Sequence, residues 1–209
     1  MFWIAFSGFA GNGKTSTIKR AAAALASQGK RVIVLDEMVS TVFESWEIKN
    51  KKDIFGLEDI VFHASVAQAK IVKQLDDVDL VVLQDRTLID ALCFMLIRGE
   101  VDETTAVGLC DCYCDYISAI DVLYLFGPVT DEDLIERVMR KDVRAKTISD
   151  FEREQELFYK YFNSLLEFVL GQLPVPPTRV VKLPSPSENP SVTSEIFRDL
   201  LNSIRRGNR

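Results

Sequence analysis

Gly8-Phe9-Ala10-Gly11-Asn12-Gly13-Lys14-Thr15 matches the pattern G-x-x-x-x-G-K-[ST] at every fixed position. The segment lies between an apolar run, Phe2 to Phe6, and an alanine-rich stretch with helical periodicity, Thr15 to Ser27. Glycines allow the backbone to curl so that successive N–H groups point inward, and the following helix adds its positive N-terminal end. The segment therefore predicts a phosphate-binding loop between a strand and a helix.

The residues of this loop predict a nucleotide and a metal ion as its ligands. Lys14 is expected to reach the β- and γ-phosphates of a nucleoside triphosphate, and the Thr15 hydroxyl is expected to ligate Mg²⁺. We therefore predict binding of ATP or GTP together with Mg²⁺. The residues expected to contact the nucleotide are Gly8, Gly11, Asn12, Gly13, Lys14, Thr15 and Ser16.

Apolar, β-branched runs alternate with helical patterns along the rest of the chain. This alternation predicts an α/β fold, with a five-stranded parallel sheet covered by helices on both faces. Ligands of such sheets bind at the carboxyl ends of the strands. The predicted strands are Phe2 to Phe6, Arg31 to Leu35, Leu80 to Leu83, Val122 to Phe126 and Arg179 to Leu183. The predicted helices are Thr15 to Ser27, Leu57 to Leu75, Thr87 to Arg98, Glu103 to Ile120, Asp131 to Met139, Asp150 to Leu170 and Ser191 to Arg205.

Length and composition narrow the classes of protein. The chain has 209 residues, 47% of them hydrophobic, which suits one domain with a substantial core. A net charge of −6 disfavours a nucleic-acid groove without excluding a local cluster of cations. No apolar run approaches the length of a membrane span and no leader precedes the first strand, so we expect a cytoplasmic protein. Cys110, Cys112 and Cys114 alternate within a helical stretch, which disfavours a zinc site.

The third predicted strand ends in Asp85-Arg86. Asp85 has the position of an acidic residue that holds Mg²⁺ directly or through water. A second acid commonly follows in ATPases that activate water, whereas this chain has Arg86. A cation there favours transfer of a phosphoryl group to something other than water. A strand-end ion pair or a helix cap is the structural alternative for this pair.

The second predicted strand ends in Asp36-Glu37. A carboxylate at this edge is placed to accept the proton of an acceptor hydroxyl as it attacks the γ-phosphate. Glu37 is the first choice for this base and Asp36 the second, because adjacent side chains of a strand point to opposite faces and the register is open. A solvated acidic turn is the alternative.

Four cations occur within eight residues after the fourth strand: Arg137, Arg140, Lys141 and Arg144. Taken alone, such a run is typical of a charged helix surface. In a chain with a phosphate-binding loop it favours a lid that closes over the triphosphate and neutralises the charge that develops during transfer. Arg140 and Arg144 are the expected contacts.

Taken in order, these segments resemble the deoxynucleoside and nucleotide kinases of the P-loop class, including thymidylate-kinase-like and nicotinamide-riboside-kinase-like ATPase domains. The resemblance covers nearly the whole chain. It is carried by the phosphate-binding loop, Asp36-Glu37-Met38-Val39, Asp85-Arg86-Thr87-Leu88-Ile89-Asp90 and Arg140-Lys141-Asp142-Val143-Arg144. Deoxynucleoside kinases have Glu-Pro-Val and Glu/Asp-Arg-Ser at the second and third segments. Here Met38 replaces the proline and Thr87 replaces the serine.

The resemblance implies a three-layer P-loop kinase fold in a single domain over residues 1–209, with a lid at about 137–149. It also implies roles for individual residues: Glu37 as catalytic base, Asp85 as the acid associated with Mg²⁺, Arg86 beside the acceptor, and Arg140 and Arg144 in the lid. In the family a glutamine before the third strand often reads the base. Gln68 is the first choice for that role here, and His63 is the alternative on the same helix.

The expected activity is ATP- and Mg²⁺-dependent transfer of the γ-phosphate to a hydroxyl or phosphate of a nucleoside or nucleotide. Two alternatives remain at this point. One is a kinase that acts on a hydroxymethylated base or an end in DNA, which the acidic composition disfavours. The other is a P-loop switch that holds or slowly hydrolyses a nucleotide. The relatives that the chain resembles are commonly dimers, so a homodimer is an option by analogy.

Overall fold

The computed structural model describes residues 1–38, 56–75, 77–141, 147–172, 179–189 and 191–207. The sheet has five strands: β1 Phe2–Ser7, β2 Arg31–Leu35, β3 Leu80–Asp85, β4 Val122–Phe126 and β5 Arg179–Leu183. They are all parallel and lie in the order β2-β3-β1-β4-β5. All five coincide with the apolar runs predicted from the sequence.

Eight helices lie within the described residues: α1 Lys14–Ser27, α2 Leu57–Lys73, α3 Leu88–Ile97, α4 Glu103–Cys112, α5 Cys114–Ile117, α6 Glu132–Lys141, α7 Ile148–Gln172 and α8 Ser191–Gly207. The single helix predicted over Glu103 to Ile120 is wrong, because the backbone leaves helical geometry at Tyr113 with φ −118°. The Tyr113 ring contacts Phe62 of α2 edge-on at 5.5 Å. The predicted helix is therefore interrupted where it packs against α2, and local periodicity in the sequence does not predict this break.

The sheet separates two hydrophobic cores. Trp3 and Ala5 of β1 belong to one core, and Ile4 and Phe6 to the other, as expected when successive side chains point to opposite faces. Helices α2, α3 and α7 contribute to the first core, and α1 and α8 to the second. Every residue of β3 and β4 is buried, which is typical of parallel strands covered on both faces. The predicted three-layer α/β fold is confirmed.

The central position of β1 determines where a ligand can bind. β1 pairs with β3 on one side and β4 on the other, with Phe6 in register with Asp85 and with Tyr124. The carboxyl ends of these strands therefore meet at one edge, where crossovers leave the sheet in opposite directions. The segment Gly8 to Lys14 lies at that edge. No helix of the described ranges has the length and apolar character needed to cross a membrane.

Candidate active site

The segment between β1 and α1 has the backbone of an anion-binding loop. Gly8, Gly11 and Gly13 all have positive φ, at 139°, 81° and 88°. Gly11 cannot be replaced without displacing a neighbour, since a Cβ there would lie 2.3 Å from Val138 Cγ2 of α6. Gly13 precedes α1 and provides no side-chain cap, so the first N–H groups of the helix are offered to a ligand.

Other parts of the chain hold this loop in place. Ser187, in the segment after β5, donates a hydrogen bond of 2.7 Å to the carbonyl of Gly11. Tyr159 of α7 donates to the carbonyl of Phe126 at 2.7 Å and accepts from the N–H of Phe9 at 3.4 Å. The Phe9 ring is buried against Phe151, 5.1 Å away edge-on. The loop is thus fixed to β4, to α7 and to the segment that follows β5.

Lys14 is buried beside the loop, with 6% of its surface exposed. Its Nζ donates to the carbonyls of Gly8 and Phe9, both at 2.8 Å, and to Asn12 Oδ1 at 3.0 Å. Burial, reinforced by the charge of Arg86, lowers the pKa of Lys14 to about 8. The ammonium group therefore lies within the curl of the loop, where an incoming phosphate would replace carbonyl oxygens as its partner.

Thr15 and Asp85 form a contact between the loop and the end of β3. The Thr15 hydroxyl donates a 2.5 Å hydrogen bond to Asp85 Oδ2. Asp85 Oδ1 is buried, and no residue of the described ranges donates to it. Burial raises the pKa of this carboxyl, while the nearby charge of Lys14 opposes the rise. An unsatisfied buried carboxylate oxygen beside a hydroxyl suits an oxygen-liganded cation.

This pair fits Mg²⁺ in particular. Mg²⁺ keeps several waters and is commonly bound by one or two protein oxygens together with substrate phosphates. The described residues contain no cluster of three or more histidine, cysteine or acidic side chains that would hold a metal ion by themselves. The oxygen atoms of Thr15 and Asp85 therefore match a magnesium ion that takes its remaining ligands from water and phosphate.

Arg86 and Glu37 form an ion pair across the ends of β3 and β2. The Arg86 Nε donates to Glu37 Oε1, and both side chains are largely buried, with 15% and 25% exposed. Asp36, by contrast, is exposed. The sequence left open whether Glu37 or Asp36 faces the site. In the structure Glu37 faces Arg86, and Asp36 does not contact this ion pair.

A small cavity lies between α2, α3 and the end of β3. Its volume of about 20 Å³ is room for one water molecule. The lining residues are Glu37, Met38, Glu58, Val61, Ser65, Gln68, Gln84, Asp85, Arg86, Thr87, Ala91 and Phe94. The cavity thus brings the expected base, metal-binding acid and arginine to one place.

Gln68 reaches this cavity and His63 does not. The α2 residues that line it, Glu58, Val61, Ser65 and Gln68, are three or four positions apart and so share one helix face. His63 falls on another face, where it is exposed and contacts Asp59 one turn earlier. Helical periodicity thus separates His63 from the predicted substrate site, while the assignment of Gln68 stays a prediction.

The residues expected to form a lid are only partly described. Arg140 is exposed on α6 and pairs with Glu136 one turn earlier, at 3.3 Å. Arg144 lies outside the described residues. Ser16, one of the residues expected to contact the nucleotide, is exposed in the first turn of α1. No described contact joins Arg140 to the loop, although α6 itself meets the loop through Val138 and Gly11.

Two acidic residues of the site were missed from the sequence. Glu58 is 1% exposed, lines the cavity and forms an ion pair with Arg98. Asp90 is fully buried behind the loop and accepts hydrogen bonds from Ser7 and Thr87. The spacing Thr87-x-x-Asp90 before an apolar run is a capping-box signal that would have located Asp90. No comparable sequence signal marks Glu58.

These features define a P-loop kinase fold with a cluster of acidic and basic groups at the carboxyl edge of its sheet. No family model and no curated protein matches the chain. Among solved structures it is similar to a deoxyadenosine kinase from M. mycoides, determined with bound dATP, at 20% identity and a TM-score of 0.54. The match covers 96% of this chain and 100% of that one. At this identity the similarity confirms the fold that the sequence resemblance implied.

Proposed function

We propose that this protein is an ATP-dependent kinase that transfers the γ-phosphate to a hydroxyl group of a nucleoside-like small molecule. One observation carries the proposal: the phosphate-binding loop, the Thr15–Asp85 pair and the Arg86–Glu37 pair meet at one edge of the sheet, where Glu37, Asp85 and Arg86 also line one small cavity. A nucleotide switch has no need of a carboxylate paired with an arginine beside its phosphate-binding loop. A phosphotransferase needs both.

The residues of this chain have separable roles in such a reaction. The loop N–H groups and the Lys14 ammonium group hold the triphosphate and neutralise charge on its oxygens. Glu37 accepts the proton of the attacking hydroxyl, and Arg86 orients that carboxylate while facing the transferred group. Catalysis of this kind consists mainly of positioning and charge neutralisation, since the loose transition state needs little covalent help from the protein.

Thr15 and Asp85 would hold Mg²⁺ in this scheme. When bound, the ion supplies positive charge at the β- and γ-phosphate oxygens. The hydrogen bond from the Thr15 hydroxyl to Asp85 would keep these two oxygens together where the ion would bind.

The charges around the cavity favour an uncharged acceptor. Glu37, Glu58 and Asp85 line it, and the two arginines beside them are already engaged, Arg86 with Glu37 and Arg98 with Glu58. An acceptor that carries its own phosphate would bring two further negative charges to these carboxylates. The similarity in fold to a deoxyadenosine kinase supports a nucleoside-like acceptor in general terms.

Transfer of radiolabelled γ-phosphate to a panel of acceptors tests the proposal directly. The panel contains ribo- and deoxynucleosides, their monophosphates, duplex DNA with and without hydroxymethylated bases, and water alone. We expect phosphorylated nucleosides with wild type and none with Lys14→Ala. Phosphate transfer only to DNA, with a steep fall in affinity as salt increases, would replace this proposal by the polymer kinase. Hydrolysis without transfer would replace it by the switch.

A further inference from the structure

We propose that Asp90 is a positioning residue that holds Arg86 and the start of the phosphate-binding loop in fixed relation to each other. The inference rests on the proposed function and deepens it, since Arg86 is one of the groups expected to face the transferred phosphate. Asp90 itself is fully buried in the first turn of α3 and is not among the residues that line the cavity. Its effect on the reaction would therefore pass through its partners.

The carboxylate of Asp90 joins two segments that are distant in sequence. Oδ2 accepts hydrogen bonds from Ser7 Oγ at 2.6 Å, at the end of β1, and from the Thr87 N–H at 2.7 Å, after β3. Oδ1 accepts from the Gly8 N–H at 3.3 Å and lies 3.9 Å from Arg86 Nη1. A simple helix cap would need only the contact with Thr87. The contacts with Ser7, Gly8 and Arg86 extend beyond that requirement.

The backbone of Arg86 needs such support. Its φ of 75° is the one positive value at a non-glycine residue among the described residues. A non-glycine residue in this region is strained and persists only where its surroundings hold it. The Arg86 N–H donates to the Phe6 carbonyl at 2.9 Å, and the next N–H, that of Thr87, donates to Asp90. The two bonds hold the strained residue from both sides.

Two carboxylates, those of Glu37 and Asp90, attract different parts of the Arg86 guanidinium group. Glu37 lies at Nε and Asp90 lies toward Nη1, while Nη1 is 3.4 Å from the Gly8 carbonyl. Arg86 is therefore drawn toward the loop by Asp90 as well as toward the base by Glu37. Without the Asp90 charge, the attraction on the Nη1 side would weaken and the balance would move toward Glu37.

Asp90→Asn removes the charge and turns one acceptor into a donor, with little change in shape. Asp102→Asn is the matched control, because Asp102 caps α4 through the Thr105 N–H at 2.7 Å and is exposed, away from the site. Asp90→Ser is a second variant, which replaces the carboxylate by a shorter hydroxyl that can still accept a hydrogen bond. Each variant is compared for kcat, KM for ATP, thermal unfolding and the ¹H–¹⁵N signal of Arg86 Nε–H, assigned by its loss in Arg86→Lys.

We expect Asp90→Asn and Asp90→Ser to lower kcat by about 100-fold and to shift the Arg86 Nε–H signal, as a misplaced catalytic arginine would. The KM for ATP should change by less than about threefold, and Asp102→Asn should match wild type in kcat and in the Arg86 signal. If both Asp90 variants lose stability but keep kcat and the Arg86 signal, Asp90 is only a cap and the inference fails. A shifted signal with unchanged kcat also overturns it. If wild type transfers phosphate to no acceptor, the proposed kinase function fails, whereas the Arg86 signal still reports whether Asp90 positions that residue.

Discussion

The Thr15 hydroxyl donates a 2.5 Å hydrogen bond to Asp85 Oδ2, which joins the first turn of α1 to the end of β3 across 70 positions of sequence. The second carboxylate oxygen, Oδ1, is buried and accepts from no described residue. A buried oxygen without a donor costs free energy, which a cation would recover. The pair is therefore the part of the site most directly suited to a metal ion.

Asp85→Asn should raise the Mg²⁺ concentration needed for half-maximal transfer by more than about 100-fold, because it removes an anionic ligand. Chelation with EDTA should abolish transfer by the wild type, and added Mg²⁺ should restore it. Asp79→Asn, at an exposed turn before β3, is the control and should behave as wild type. Transfer that survives the chelator would remove the metal from the proposed mechanism.

Glu37→Gln should lower kcat by about 10²–10⁴-fold, the usual contribution of a general base, while ATP binding measured by calorimetry stays within about threefold of wild type. The neighbouring Asp36→Asn should keep full activity, because Asp36 is exposed whereas Glu37 meets Arg86. Equal losses in the two variants would point to the net charge of this turn, not to a proton acceptor. Full activity in Glu37→Gln would exclude it as the base.

Lys14 should make the ligand-free protein more stable as the pH rises above about 8. Burial lowers its pKa from 10.5 to about 8, so between these values the folded protein has released a proton that the unfolded chain keeps. The unfolding free energy contributed by Lys14 should therefore rise as pH increases through this window, by about 3 kcal/mol in total. Urea unfolding of wild type and Lys14→Met at several pH values measures this contribution, as the difference between their unfolding free energies at each pH. A difference that is flat or falls with pH would contradict the buried ammonium group.

Gly11→Ala should lower the affinity for ATP by at least about tenfold, because the loop must deform to accept a side chain. The new Cβ would lie 2.3 Å from Val138 Cγ2, in addition to the strain of a φ of 81°. Gly29→Ala is the matched control, with a φ of 76° and no atom within 4 Å of the new Cβ. Both variants should lose about 1–2 kcal/mol of stability from φ alone, measured by urea unfolding. Only Gly11→Ala should affect ATP binding, and equal ATP affinity in both would contradict the contact with Val138.

Most residues of the candidate site could be predicted, because a motif or a strand end in the nearby sequence marks them. The pattern Gly8 to Thr15 is read from spacing alone, and Asp85, Arg86 and Glu37 follow from the rule that parallel strands end at one edge. The choice between Glu37 and Asp36 was not predictable, because a shift of one residue in register exchanges the two faces of a strand. Separating Gln68 from His63 likewise required the orientation of α2 against β3.

The amino-acid sequence by itself determined the strands, the loop and the order of charged segments, because glycine spacing and apolar periodicity act over a few residues. Tertiary structure alone decided which of these segments touch. Only packing buries Lys14 and thereby lowers its pKa, brings Glu58 to the cavity, and holds Arg86 at a positive φ between Phe6 and Thr87. Such contacts join residues far apart in the chain, where no local propensity can specify the partner.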